Sequence, residues 1–159
     1  MPLVEKRTRK TLASIIKKVV KSDYALISKS KQFYFDWKIE SKNEVYKIYL
    51  KGKDKEILGL MSLVDVPEEF RIHLSLIEVG QKNRGKNKEI ENIAGCLLAF
   101  ACQVAFEKDY WGYVSLKPKT ELIALYQNKY GFRKYGRLLA VEQKTSMDLI
   151  KKYWIDEEE

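Results

Sequence analysis

A polar stretch, Gly80 to Asn87, is the part of this chain best suited to hold an anion. It packs two glycines, two lysines, one arginine and two asparagines into a single turn. An apolar run, Leu74, Leu76, Ile77 and Val79, leads into it. Beyond it Ile90, Ile93, Ala94, Leu97, Leu98, Ala101, Val104 and Ala105 recur at helical spacing. A strand feeding a helix through a glycine-containing basic turn can bind an anion. The first N–H groups of the helix lack intrahelical acceptors, and the helix dipole favours negative charge there. One carboxyl stands beside the turn. Glu78 is flanked by apolar Ile77 and Val79, and burial would favour its protonated form and suit it to act as a base. An alternating strand would equally leave it on the surface. His73 lies five residues earlier and faces the opposite side of the sheet unless a bulge intervenes.

The residues offer no metal chemistry. His73 is the only histidine, and it has no ligand set around it. Cys96 and Cys102 are six apart on the predicted helix, on different faces and too far apart to bridge. They read as small buried hydrophobes in a reducing compartment, with a cytoplasmic location expected.

The elements that must position these groups follow from the pattern of the chain. Leu12, Ile15, Ile16, Val19 and Val20 predict an amphipathic helix over about residues 8–21. Strands are predicted over Phe33–Ile39, Val45–Lys51, Ile57–Val66 and Arg71–Val79, joined by short turns as an antiparallel meander. Gly59 marks a bulge or a close backbone approach. After the central helix come a strand at Trp111–Leu116 and a helix of about ten residues from Thr120, stopped by Gly131. Two short strands around Gly136-Arg137 and a terminal helix at Ser146–Trp154 complete the order, with a fraying acidic tail. The strand–helix–strand unit over residues 71–116 implies one parallel pair with a crossover helix. The class is α+β: one domain spanning residues 1–159, with a mixed, mostly antiparallel sheet.

The start of the central helix is open between two arrangements. If Asn87 caps it, Glu89 and Glu91 fill the first turn, which suits the dipole but places carboxylates in the anion site. If Asn92 caps it, residues 88–92 loop out and the amides of Ile93, Ala94 and Gly95 face an anion. Ile90 fits the apolar stripe and favours the first.

The motifs resemble a known family. IEV, a polar turn, RGK and IAGCLL are similar to the acyl-CoA-binding segment of the GNAT superfamily of N-acyltransferases. There a strand is followed by Arg/Gln-x-x-Gly-x-Gly/Ala and a helix. Arg84, Gly85 and Lys86 match the first half, and Ala94, Gly95, Leu97 and Leu98 match the helix start. Asn87 stands where glycine is typical, and Lys88 to Asn92 read as an insertion. A second block, ALYQNKYGF at residues 124–132, resembles the Leu-Tyr-…-Gly-Phe block that follows the fifth strand, at one residue more than the common spacing.

The resemblance implies a GNAT-like fold whose parallel pair splays apart, acetyl-CoA as co-substrate and an amine as acceptor. It implies Tyr126 as general acid, with Tyr130 competing, and Glu78 as the base. Val79 would meet the thioester or pantetheine. Arg84, Gly85, Lys86, Asn87, Ile93, Ala94 and Gly95 would cradle the pyrophosphate, with small residues at 94 and 95 letting it approach. The family pattern favours Asn92 as the cap. A fold that has lost catalysis and serves as a binding module is the alternative.

The net charge of +8 is uneven. Residues 1–31 hold nine Lys/Arg against two Asp/Glu, and the remainder hold 21 against 20, so the body of the domain is nearly neutral. A basic N-terminal helix could meet nucleic acid. No apolar run is long enough to span a bilayer, and the N-terminus lacks a secretory pattern. A homodimer through the C-terminal strand pair and Trp154 is compatible with the sequence.

Overall fold

The N-terminal basic segment is not the helix predicted over about residues 8–21. It is strand β2 (Thr11–Lys18), folded back on β1 (Pro2–Glu5) as an antiparallel hairpin. Leu12 and Ile16 both reach the core, and they are four apart. A strand and a helix alike put residues i and i+4 on one face, so this spacing does not separate the two. The β-branched Thr11, Ile15 and Ile16 favour the strand. Lys6, Arg7, Arg9 and Lys10 consequently form an exposed turn at the tip of the hairpin.

A computed structural model describes residues 2–154, and the acidic tail expected to fray lies outside them. The other strands are β3 (Glu44–Leu50), β4 (Gly59–Val66), β5 (Arg71–Val79), β6 (Ile90–Glu91), β7 (Val114–Leu116), β8 (Arg133–Tyr135) and β9 (Leu138–Val141). They form one sheet in the order β6-β1-β2-β3-β4-β5-β7-β9-β8. Every pairing is antiparallel except β5 with β7. Helix α2 (Ile93–Glu107) makes the predicted crossover, and α4 (Gln143–Tyr153) packs beside it. Gly59 is a close approach: a Cβ there would come within 2.8 Å of the Ile93 side chain, so α2 lies tightly on β4.

A smaller apolar cluster of Ile27, Trp37, Val45, Ile57 and Leu60 forms apart from the main core. Helix α1 (Asp23–Ser30), absent from the predicted order, contributes Ile27. Its buried Asp23 pairs with buried Lys47 of β3 at 2.9 Å and takes the Val20 N–H at 2.8 Å. The predicted strand at Phe33–Ile39 is instead an extended loop running into a 3-10 turn at Trp37–Lys42.

Two irregularities in β5 shape the molecule. Ser62 of β4 pairs with Leu76 and Leu63 with Leu74, so Ser75 is an extra residue bulged from β5. The bulge restores His73 and Glu78 to one face of the sheet. The parallel pairing of β5 with β7 covers only Ile72–Leu74 against Val114–Leu116. Beyond it β5 continues to Val79, while Lys117-Pro118 turns the other chain away. The pair is therefore split at its C-terminal end.

Both cysteines are buried in α2, and burial pushes each thiol up to about 12 from an ordinary value near 9. The native chain is expected to resist a thiol reagent at pH 8, and both thiols are expected to react once the chain is unfolded. Mass spectrometry after alkylation in buffer and in denaturant checks this. Among the described residues no helix is long and apolar enough to cross a membrane.

Candidate functional site

The split strands open onto two cavities, each of about 230 Å3. The outer one lies where β5 ends. Val79, Arg84 and Gly85 line one side, and Ile93 and Ala94 from the start of α2 line the other. The inner one lies within the split, between Leu74–Ile77 of β5 and Leu116–Lys119 of the departing chain, with Phe35 and Tyr126 at its walls. Tyr126 belongs to α3 (Ile123–Tyr130).

The start of α2 decides between the two arrangements left open by the sequence. Asn92 occupies the cap position in a left-handed conformation, φ 77°, and the first intrahelical bond runs from the Cys96 N–H to the Asn92 carbonyl at 2.9 Å. The amides of Ile93, Ala94 and Gly95 thus precede the intrahelical ladder. The inserted residues are not a free loop. Ile90–Glu91 is β6, an edge strand on β1. The Lys6 N–H donates to the Glu89 carbonyl at 2.8 Å, and Arg9 pairs with Glu91 at 3.2 Å. The N-terminal hairpin thereby draws the acidic insertion away from the helix start. Ile90, which fits a helical stripe by spacing, is buried from this strand instead.

Lys86, Asn87 and Gly95 are placed differently from the expectation. The Lys86 carbonyl accepts a bond from the Lys6 ammonium at 2.6 Å, and Asn87 is exposed on the loop. None of the three lines the outer cavity. Gly95 is small for another reason: a Cβ there would stand 2.5 Å from the ring of Tyr153, which α4 lays over the helix start. Gly95→Ala is expected to lower stability by about 1–3 kcal/mol through this overlap, read as a shift in the denaturant midpoint.

The outer cavity also carries Lys88, Lys129, Tyr130, Tyr153 and Asn83. Sequence reasoning did not single out Lys129, Tyr153 or Asn83. Lys129 had a signal, as a basic residue one turn beyond Tyr126, whereas Tyr153 had none. With Arg84 the cavity holds three cationic side chains, while its one carboxylate, Glu91, is paired with Arg9. This balance and the helix-start amides suit a polyanion such as a pyrophosphate. Asn83 is 4 % exposed, its Oδ1 accepts the Ile90 N–H at 2.9 Å, and its Nδ2, sealed from solvent, has no partner among the described residues.

Tyr126 and Tyr130 divide between the cavities. Tyr126 borders the inner one, and Tyr130 borders the outer one beside Tyr153. Burial raises the proton affinity of both hydroxyls above the ordinary tyrosine range. The block that follows is a helix stop. Gly131 is left-handed at φ 78°, the Phe132 N–H donates to the Tyr126 carbonyl at 3.1 Å, and the Phe132 ring packs edge-on against Tyr126. This stop fixes Tyr126 in the wall of the split.

Glu78 is buried, at 5 % exposure, and its carboxylate is engaged by the aromatic segment. It accepts the Tyr34 N–H at 2.6 Å, the Phe35 N–H at 3.3 Å and the Trp37 Nε1–H at 2.9 Å, with the Arg84 guanidinium 3.9 Å away. These bonds take two backbone N–H groups of FYFDWKI away from strand pairing and spend them on one side chain. Glu78 lines neither cavity of the split. His73 is held by Ser115 Oγ at 2.9 Å and Arg71 at 3.2 Å, and burial, then Arg71, lowers its proton affinity. It also lines neither cavity.

A third cavity, of about 400 Å3, lies beyond the aromatic segment and is lined by Tyr24, Ile27, Phe33, Asp36 and Trp37. Phe35 borders both this cavity and the inner one. The Lys119 ammonium sits 5.2 Å from the Phe35 ring centroid, closing the contact across the split.

No family model matches the sequence, and no curated protein matches it. Solved acetyltransferases share its fold. An acetyltransferase of the GNAT family from Staphylococcus aureus superposes with a TM-score of 0.57 at 15% identity, covering 83% of this chain and 100% of that one. The spermidine/spermine N-acetyltransferase SpeG from Vibrio cholerae superposes at 0.61 and 12% identity, covering 86% and 96%. AtaTR bound with AcCoA superposes at 0.58 and 13% identity, covering 87% and 98%. The single mixed sheet with one split parallel pair and flanking helices is the GNAT fold.

Proposed function

We propose that the chain is an N-acetyltransferase that moves the acetyl group of acetyl-CoA onto an amine. One observation carries the reading: a cationic cavity at a helix start opens into a strand split whose wall holds a buried tyrosine hydroxyl. The GNAT fold and its likeness to a chain bound with AcCoA support it. Acetyl-CoA supplies an acyl group on a good leaving thiolate. Arg84, Lys88, Lys129 and the amides of Ile93 and Ala94 hold its pyrophosphate. The backbone of Val79, unpaired with β7 past the split, orients the pantetheine arm. Tyr126 keeps its proton because it is buried, and gives it to the departing sulfur.

The acceptor reaches the split from the side of the aromatic segment. No carboxylate lines the inner cavity among the described residues, whereas Lys117 and Lys119 do. Two ammonium groups favour the neutral form of an incoming amine, so it reacts as the free base and its proton passes to water. Glu78 acts in this scheme as a positioning residue that fixes the acceptor wall.

Release of free thiol from acetyl-CoA, followed across a panel of primary amines, tests the reading. The expected result is amine-dependent release whose rate climbs with pH toward the amine's own pKa. Release equal with and without every amine contradicts it.

A further inference from the structure

We infer that the acceptor amine carries an anionic group, a carboxylate or a phosphate, a few bonds from its nitrogen, and that Lys117 and Lys119 select for it. The inference rests on the acetyl-CoA reading above and names its substrate class. Strand β7 ends at Leu116, and Lys117-Pro118-Lys119 carries the chain out of the split. Both lysines line the inner cavity together with Tyr126. Neither has an ion-pair partner among the described residues. The Lys119 ammonium rests 5.2 Å from the Phe35 ring centroid, on the aromatic wall that the inner and third cavities share. A ring face holds an ammonium from one side and leaves donors on the other for an acceptor oxygen.

The cofactor does not account for these two charges. Its phosphates belong to the outer cavity, and the thioester arm that enters the split is uncharged. The carboxylates of the acceptor wall are already engaged. Glu78 accepts three N–H groups. Glu40 accepts from Ser75 Oγ at 2.9 Å and from Asn43 Nδ2 at 3.3 Å, and Asp36 accepts the Lys38 N–H at 3.2 Å. Glu121 is exposed and lines neither the inner nor the third cavity. A diamine brings its second ammonium toward Lys117 and Lys119 with no carboxylate in the inner cavity to receive it. An anionic acceptor meets two charged donors instead. The inner cavity is only about 230 Å3 and also holds the thioester, so the anion and the amine lie close together on the acceptor.

Four amines of matched length test this: β-alanine, O-phosphoethanolamine, propylamine and 1,3-diaminopropane. Thiol release from acetyl-CoA gives kcat/KM for each, corrected to the free-base fraction of that amine. The parent is compared with Lys117→Glu, Lys119→Glu and the double variant. Both side chains are exposed, so the substitutions leave the core untouched. In the parent, the better anionic amine is expected to exceed both propylamine and the diamine by at least about 10-fold. β-Alanine in the lead assigns a carboxylate, and O-phosphoethanolamine in the lead assigns a phosphate. In the double variant, the ratio of that anionic amine to the diamine is expected to fall by at least about 10-fold, and a smaller fall overturns the inference. A parent that prefers the neutral or the dicationic amine also overturns it. So does an equal loss of rate with all four amines, because the lysines then serve the step common to them and not the choice of acceptor. Thiol release that no amine raises refutes the acetyl-CoA reading itself, whereas amine-dependent release with no preference for an anion refutes only the role of the two lysines.

Discussion

Tyr126→Phe is expected to lower kcat by about 100- to 10,000-fold while leaving acetyl-CoA affinity nearly unchanged. The ring packs against Phe132 and is buried, so the variant keeps its packing and loses one hydroxyl. That hydroxyl lies in the wall of the split, where the thiolate would depart, and burial raises its proton affinity. The sign is favourable for an acid. A group held protonated above its ordinary range stays able to donate throughout the neutral and mildly alkaline region. On the proposed reading, the parent chain should therefore show no downturn in kcat from this group below about pH 10. Tyr130→Phe is the control. Tyr130 borders the outer cavity against Tyr153, and its loss should change kcat by less than about threefold, well short of a general-acid effect. Single-turnover measurements with saturating acetyl-CoA separate the two, and a larger fall for Tyr130→Phe would reverse the assignment.

Glu78→Leu is expected to lower stability by on the order of 3–5 kcal/mol, because the Tyr34 and Phe35 amides and the Trp37 indole lose their shared buried acceptor. Glu78→Gln is the more telling variant for function. Its amide keeps one oxygen for these donors but turns an NH2 against the others, so the aromatic segment loosens. If Glu78 is an anchor, KM for the amine rises while the pH dependence of kcat/KM keeps its form. If Glu78 were the base, the variant would flatten the rise with pH and cut kcat directly. Urea unfolding of the first variant and a pH series on the second distinguish the two roles.

Much of this arrangement is written plainly in the sequence. The apolar run of β5, the glycine-containing basic turn and the 3.6-residue spacing from Ile93 to Ala105 each report a local structure that does not depend on distant partners. Gly131-Phe132 does so as well, because a left-handed glycine ends a helix wherever it falls. The features that escaped are those set by long-range contacts. Leu12 and Ile16 are compatible with either period, and pairing with β1 and β3 decides for a strand. The FYFDWKI segment alternates like a strand, but its amides are claimed by Glu78, more than forty residues away. Ile90 fits a helical stripe, yet Asn83 and the hairpin draw it into β6. Within the site, Val79, Arg84, Gly85, Ile93 and Ala94 line one cavity. Tyr153 enters from the C-terminal helix with no local signal, and its ring occupies the space a Cβ at Gly95 would need.

The claim that the split is a thioester site is tested most directly by calorimetric titration of the chain with acetyl-CoA, beside an Ala94→Glu variant. Ala94 lies at the helix start in the wall of the outer cavity, so a carboxylate there opposes the pyrophosphate without entering the Tyr153 contact. One site per chain with micromolar affinity is expected, weakened at least about 100-fold in the variant by like-charge juxtaposition with the pyrophosphate. No heat at millimolar acetyl-CoA, or equal binding by both proteins, would contradict it.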